Sequence, residues 1–370
     1  MKIGIDISML VYQGSGVATY TYNLAKQLLL TNKSNTYYLF YSSFRRPAHF
    51  TYLEEFRKLG GIICDYPFPP RLLVYCWNQK HIIPVEWMTG KVDIFHSSDF
   101  LRPPLLKGTK GITTIHDLTW KIYPEYHTED IVTAHERKLQ KTIQYGDIIL
   151  VDSKHTKKDL IKYYPQIEKT NSIHVLYLGI DEQYKIIKNT NYINTVLQRY
   201  TVPTEKKYIL YVGAIEPRKN VDRCIDIFSQ LIKQKNYDGY EFWIIGRAGW
   251  KNEQVFNKIK KLGLEKKIRF IGFVEDTDLP YFYNKAEILF YLSEYEGFGL
   301  PPLEAAYCGT PTLLYNHSSL QEIFKPAYPY TKKGEELKTV LHLLQEPIHL
   351  QKYIYSWNWP AYAKQFVSLL

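Results

Sequence analysis

Residues 296–311 read EGFGLPPLEAAYCGTP, with two carboxylates, Glu296 and Glu304, separated by seven residues. Gly297 and Gly299 flank Phe298 between them, and Leu300 leads into Pro301 and Pro302. Upstream, Ile288–Leu292 reads as a buried strand, short, apolar and ended by Ser293 and Glu294. Downstream, the prolines suit the first turn of a helix, Gly309 suits its C-terminal cap, and Thr312–Tyr315 reads as the next strand. A glycine loop feeding a helix N-terminus offers amides and a positive dipole end to an anion. Glu304, placed in that first turn, would accept hydrogen bonds from vicinal hydroxyls. Phosphate plus diol describes a sugar nucleotide. Either glutamate alone also fits a bland role, because the dipole favours acids there and glycines punctuate turns. The whole string in its strand–loop–helix setting carries the chemistry.

A second constellation is Glu216-Pro217-Arg218-Lys219-Asn220, between the strand Tyr208–Val212 and a helix from Val221, with Asn220 as N-cap. Cations at a strand's C-terminal end point where open α/β sheets bind ligands. They would stabilise the charge of a departing diphosphate, Arg218 by gripping two oxygens and Lys219 as a point charge. The same pair also reads as an ordinary solvated turn. Gly14-Ser15-Gly16 precedes the helix Val17–Leu30. It fails as a dinucleotide fingerprint but suits close backbone approach. His116-Asp117 follows the strand Ile112–Ile115 and reads as a structural pair or as a functional histidine at a strand end. His96, after Val92–Phe95, is a candidate on the acceptor side. Ser153 reads as a helix N-cap. Gly246-Arg247-Ala248-Gly249 and Phe273-Val274 end two further strands and, by fold analogy, border a nucleoside. Asp276-Thr277-Asp278 spells a metal-binding Asp-x-Asp, but its place before Leu279-Pro280 reads as a helix N-cap. No metal and no cofactor are expected.

The elements that must position these residues alternate apolar strands with amphipathic helices, which argues for parallel sheets. The first half gives strands at Lys2–Ile7, Tyr37–Tyr41, Val92–Phe95, Ile112–Ile115, Asp147–Val151 and Ile173–Leu176, with a helix at Thr128–Gln144. The second gives strands at Tyr208–Val212, Phe242–Ile245, Ile268–Phe273, Ile288–Leu292 and Thr312–Tyr315, with helices at Val221–Lys233 and Asn252–Lys261. A length of 370 residues suggests two domains. The boundary is expected at residues 177–181, where a strand ends at Gly179 and a Lys- and Asn-rich stretch follows. No apolar run reaches the ~18 residues of a membrane span. MKIGIDISML leads into a strand rather than a secretory signal, and the four scattered cysteines form no disulfide framework, so a cytoplasmic location is expected. The net charge of +10 is spread over both halves and carries no standard nucleic-acid motif. Nucleic acid is therefore not an expected partner.

The strings GAIEPRKN at 213–220, TTIHDL at 113–118 and the stretch 296–311 together resemble the retaining glycosyltransferases of family 4, which have the two-domain GT-B fold. The resemblance covers nearly the whole chain. It implies two Rossmann-like domains facing across a cleft: residues 1–180 for the acceptor and 181–354 for the nucleotide sugar. A helix within 355–370 would cross back to the N-terminal domain. It implies that Arg218 and Lys219 grip the donor diphosphate, that Glu296 meets the donor sugar's hydroxyls and Glu304 the ribose diol. The amides of Gly297, Phe298, Gly299 and Leu300 would meet phosphate or sugar. Gly246 and Val274 would lie beside the nucleoside, and Gly14 and Gly16 near the diphosphate and acceptor. His116 would approach the donor sugar and support the transition state. Residues 8–28, SMLVYQGSGVATYTYNLAKQL, resemble mannosyl- and related transferases of bacterial surface-polysaccharide assembly. That favours GDP-mannose over a UDP-linked donor, with a glycan or lipid-linked acceptor. Two other classes remain open: a sugar-nucleotide epimerase on a similar fold, and a non-catalytic module for anionic polymer or membrane. Residues 66–90 mix aromatics and aliphatics with Arg71, Lys80 and His81. This stretch suits peripheral contact with membrane headgroups or a lipid-linked acceptor, and equally a partly buried helix.

Overall fold

The structure, a computed structural model, describes the chain except residues 45, 47–49, 98, 248–252 and 347. Ala248, Gly249 and Asn252, named above, lie outside the described residues. The chain divides into two compact units, Met1–Gly179 with Trp357–Leu370, and Ile180–Ser356.

Unit 1 is built on seven parallel strands in the order β3-β2-β1-β4-β5-β6-β7. They are β1 (Lys2–Asp6), β2 (Thr36–Ser42), β3 (Ile62–Tyr66), β4 (Ile94–Ser97), β5 (Lys110–Ile115), β6 (Ile148–Val151) and β7 (Ile173–Val175). The central strands are buried on both faces, as parallel strands under crossover helices must be, which is why they read as continuous apolar runs. The sequence reading contains no strand at β3. Its IICDY breaks the apolar run with Asp65, and at the sheet edge it is only partly buried. The strand expected at Val92–Phe95 begins and ends two residues later, which places His96 inside the sheet.

Two features hold unit 1 together. Arg102 and Asp147 form a buried two-point ion pair, Nη2 to Oδ1 at 2.7 Å and Nε to Oδ2 at 3.1 Å, and Thr113 donates to the same carboxylate. The second is the terminal helix Trp359–Ser368, which packs on the helix Gly16–Thr31 of unit 1. Asn358 caps it by accepting the Ala361 N–H, and Pro360 fills its first turn, where a missing N–H costs nothing. Its entry rests on Gly179, where a Cβ would stand 2.2 Å from the Trp359 nitrogen.

Unit 2 carries five parallel strands in the order β10-β9-β8-β11-β12. They are β8 (Tyr208–Val212), β9 (Glu241–Ile245), β10 (Ile268–Gly272), β11 (Ile288–Phe290) and β12 (Thr312–Leu313). The helix Val221–Leu231 packs Cys224, Ile225 and Phe228 against strand residues Ile209, Phe242 and Phe290 in one apolar core. The order reverses direction between β8 and β11, the point at which open α/β sheets open a ligand crevice beyond the strand ends. Among the described residues no helix is long and apolar enough to cross a membrane.

Gly179→Ala should destabilise unit 1 by ~1–3 kcal/mol, because the obstructing atoms are backbone and cannot rotate away. The check is thermal and urea unfolding beside wild type. An unchanged midpoint would show that the terminal segment yields freely.

Candidate active site

In unit 2 the loops after β8 and β11 leave adjacent strands at the same edge of the sheet. Pro217–Lys219 forms a single 3₁₀ turn, stitched to residues 292–295 by main-chain and side-chain bonds. The Glu294 N–H donates to the Arg218 carbonyl at 2.8 Å, and Arg218 Nη1 donates to the Tyr295 carbonyl at 3.2 Å. Asn220 occupies the N-cap position of the following helix but does not cap it. It adopts left-handed backbone, φ 51°, and its Nδ2 donates to the Leu292 carbonyl and to Glu294. The expected cap is thus a clamp between two loops.

This stitching brings Arg218, Lys219 and Glu296 together. Lys219 Nζ lies 2.5 Å from Glu296 Oε1 and 3.0 Å from the Tyr291 hydroxyl, which itself donates to the same oxygen at 2.8 Å. Arg218 Nη1 stands 3.5 Å from Glu296 Oε2, and its Nε pairs with Glu216 at 3.2 Å. Burial alone would raise the Glu296 carboxyl, but Lys219 and Arg218 bring it down to about 2. Its ionised form therefore stabilises the fold above pH 4.5, and that contribution fades as pH falls towards 2. Burial and the neighbouring Arg218 lower the Lys219 ammonium, while Glu296 opposes them. Two cations, Arg218 and Lys219, and two carboxylates, Glu216 and Glu296, meet beyond the ends of β8 and β11, so an anion placed there meets guanidinium and ammonium groups already held in position.

The loop onward from Glu296 is held by Ser318 and Ser319. The Glu296 N–H donates to Ser318 Oγ, and Ser319 Oγ donates to the carbonyls of Glu296 and Phe298. Gly299 has φ 106°, a backbone conformation that favours glycine, and a Cβ there would press on the end of the Leu320 side chain at 2.7 Å. The helix Leu300–Tyr307 starts one residue before Pro301. Glu304 is accordingly in its second turn rather than its first, and no acidic residue lies in the first turn. Glu304 also belongs to a different network from Glu296. It is buried, and its Oε2 accepts the Tyr283 hydroxyl at 2.9 Å. Burial raises its carboxyl to about 8 despite that bond, with Asp276 adding repulsion.

In unit 1 the ends of β5 and β6 are neighbours, and they set His116 beside Asp152. His116 Nδ1 lies 2.7 Å from Asp152 Oδ2, while Nε2 is buried with no hydrogen-bond partner among the described residues. Burial would lower the imidazole's pKa, but the Asp152 carboxylate holds it above its ordinary value. Tyr20 meets the His116 ring edge-on at 4.6 Å, and its hydroxyl joins Thr114 and Tyr362. His96 is a correction. It is fully buried inside β4, its Nε2 meets Thr114 at 2.8 Å, and burial lowers it to about 3. It is a neutral core histidine.

The remaining candidates fall as follows. Gly14 has φ 73° in the turn before Ser15, whose Oγ caps the helix by accepting the Ala18 N–H. Gly16 begins that helix with open space where a Cβ would stand. Gly246, φ 137°, packs against the Gly213 carbonyl, where a Cβ would collide at 2.1 Å. Val274 is buried while Phe273 is exposed. Ser153 caps its helix through the Thr156 N–H. Asp278 holds the N-cap position, but its side chain takes Arg199 and Tyr200 instead of a helix amide. Asp152, Tyr291, Ser318 and Ser319 were not singled out in the sequence. Asp152 alone left a signal, a carboxylate one residue beyond a clear strand.

Residues 193–341 match the family model described as glycosyl transferases group 1, and residues 14–184 match that of glycosyltransferase family 4. The O-antigen chain mannosyltransferase B of Escherichia coli is 29% identical over 93% of this chain and 90% of its own length. The fold resembles the sucrose-phosphate synthase of Thermosynechococcus elongatus, with a TM-score of 0.72 at 15% identity over 100% of this chain and 98% of that one. It also resembles the Anabaena protein Alr3699/HepE in complex with UDP and glucose, with a TM-score of 0.69 at 16% identity over 100% and 99%. The two matched halves, the doubly wound sheets and the strand-edge cations agree, and the chain belongs to the family 4, group 1 glycosyltransferases of GT-B fold.

Proposed function

We propose that this glycosyltransferase moves mannose from GDP-mannose to a glycan or lipid-linked acceptor with retention of anomeric configuration and without a metal. The observation that carries the reading is the convergence of Lys219 and Arg218 on Glu296 at the C-terminal edge of β8 and β11. In this reading unit 2 holds the donor. Its diphosphate shares the two cations, which stabilise the charge of the leaving nucleoside diphosphate. Glu296, held ionised, receives the sugar's hydroxyls, and Glu304 receives those of the ribose. His116 supports the reacting sugar, and Asp152 holds its ring. The mannosyl relative supports the sugar assignment. The UDP bound in the Anabaena protein makes UDP-sugars the first competitors to test.

The surface of residues 66–90 supports a second element of the reading, peripheral contact with an anionic membrane. The stretch splits into the helix Pro70–Leu73, a π-helical turn Val74–Gln79 and the helix Glu86–Thr89. Trp77 is buried, but Trp87 is 72% exposed, with Leu72, Tyr75, Ile82 and Ile83 also exposed beside the cations Arg71 and Lys80. His81 does not join them; it stacks on Tyr145. Full-length protein should sediment with anionic vesicles at low salt and less at high salt. Trp87→Ser should weaken that binding. Equal absence of binding to anionic and neutral vesicles removes this element.

Glu304 supplies a test with two opposed readouts. Its folded carboxyl, near 8, lies above the unfolded value of 4.5. Its contribution is thus complete below pH 4.5 and is lost as pH rises through 8. Glu304→Gln should therefore raise Tm by several degrees at pH 8–9 and leave it nearly unchanged at pH 4. The same variant should bind GDP-mannose more weakly, and wild-type affinity should climb as pH approaches 8 while the variant's stays flat. Donor affinity that is equal in the two proteins at every pH would sink the ribose assignment.

Arg218→Ala and Lys219→Ala should each lower kcat/KM about 100-fold or more, since their charge matters most as the diphosphate departs. Turnover should survive a strong chelator, and NMR of the first-formed product should show retention. A panel of GDP-, UDP- and ADP-sugars, scored by thermal protection and by acceptor-dependent nucleotide release, separates transfer from acceptor-independent isomerisation. Wild-type turnover in the double variant would overturn the cation assignment. Loss on chelation, restored by a divalent ion, would overturn the metal-free mechanism.

A further inference from the structure

The sheet of unit 2 ends in an open strand. Among the described residues β10 has one neighbour, β9, and no strand pairs with its other edge. The Phe242 N–H donates to the Lys267 carbonyl at 2.8 Å. By the alternation of a parallel ladder, Arg269 then faces β9, and the Ile268 carbonyl and the N–H and carbonyl of Phe270 point outward. The register shifts between Phe270 and Gly272, so the regular part of this edge is its first three residues. The Phe270 ring is 41% exposed and meets the Phe256 ring, itself 43% exposed, at 4.8 Å between centroids. Phe256 lies on the helix Glu253–Lys261, whose Val255 and Ile259 are buried in the core of unit 2. Two aromatic rings therefore stand in solvent beside an unfinished ladder.

The charge around them has one sign. Residues 253–270 hold six cations against two carboxylates, Glu253 and Glu265. Three of the cations are engaged: Lys258 with Asp222 and Asp226, Arg269 with Glu241, and Lys267 with the Asp238 carbonyl. Lys260, Lys261 and Lys266 are exposed and, among the described residues, form no ion pair or hydrogen bond. The Leu264 N–H donates to the Ile259 carbonyl and the Ile268 N–H to the Leu264 carbonyl, each at 3.0 Å. This tight turn from helix to strand sets the three ammonium groups around the start of β10.

These features select among occupants. Lysines beside a strand edge repel a second copy of the same edge. A lipid surface leaves outward backbone groups without partners, which disfavours it at an open ladder. An extended chain brings its own N–H and carbonyl groups, and carboxylates on it would meet the unpaired lysines. We propose that β10 receives an extended, carboxylate-bearing segment of a partner protein as an added strand. Its backbone pairs with Ile268 and Phe270, an apolar side chain rests on the Phe256–Phe270 pair, and its carboxylates face Lys260, Lys261 and Lys266. The start of β10 is at the opposite end of the parallel sheet from Arg218, Lys219 and Glu296, so the partner leaves the candidate active site free.

The full chain would be titrated with two short fluorescein-labelled peptides, followed by anisotropy. One alternates glutamate with valine around a central phenylalanine, and the other carries lysine in place of every glutamate. The glutamate peptide should bind and the lysine peptide should not. Bound peptide should slow hydrogen exchange of the Phe270 amide, a readout that loose charge attraction does not move. Phe270→Ser and the triple variant Lys260→Glu/Lys261→Glu/Lys266→Glu should each weaken binding about tenfold or more. GDP affinity should stay at the wild-type level in both. The triple variant, confined to exposed side chains, carries the test if Phe270→Ser unfolds. Absence of glutamate-peptide binding, equal binding of the two peptides, or binding that leaves exchange at Phe270 unchanged would overturn the proposal. Sedimentation with anionic vesicles that the triple variant loses, with no peptide bound, would overturn it in favour of lipid.

Discussion

The site of unit 2 depends on a buried charge pair that neither partner could hold alone. Lys219 and Glu296 are both largely removed from water, and an isolated charge at either position would be costly. The pair is tolerable because Tyr291 and Arg218 complete the bonding of the carboxylate. It exists because β8 and β11 run side by side, so that loops 77 residues apart in sequence leave the sheet together. The clamp of Asn220, the hydroxyls of Ser318 and Ser319 and the left-handed turn at Gly299 all act to keep that pair in register. The same construction recurs in unit 1, where neighbouring β5 and β6 set His116 against Asp152. Parallel topology is thus the device by which distant residues acquire defined geometry in both units.

Reading the sequence reached the strands well where both faces are buried. Tyr208–Val212 is an unbroken apolar run, and its bounds agree with β8 to the residue. It failed at β3, where edge position relaxes the demand for apolar residues. Local capping was legible at Ser153, whose hydroxyl has a helix amide within reach. It was not legible at Asn220 or Asp278. Both occupy the N-cap position, but tertiary partners outcompete the helix for their side chains. The loop 296–299 stood out by composition, whereas the depth of Glu304 in its helix turned on one residue at the helix start, the least reliable feature of such readings.

The histidines show the limit most sharply. His96 and His116 both follow apolar runs and look alike in sequence. A shift of two residues in β4 places one ring within the sheet, while the other lies one residue past the end of β5. Burial silences the first, and a carboxylate contributed by another strand keeps the second basic. Nothing local distinguishes them, because the deciding partner, Asp152, is 36 residues away.

Tyr20 carries a consequence for the order of folding. Its hydroxyl, fully buried, is satisfied in part by Tyr362 of the terminal helix, and Phe366 packs edge-on against His96. A ribosome makes these two residues only after every residue of unit 2. Unit 1 is therefore completed only after unit 2 has been made, and until then its centre waits with a polar group and an apolar seam uncovered. Domains usually mature in the order they emerge. Here the nascent chain must keep the core around Tyr20 competent until the helix Trp359–Ser368 has been made.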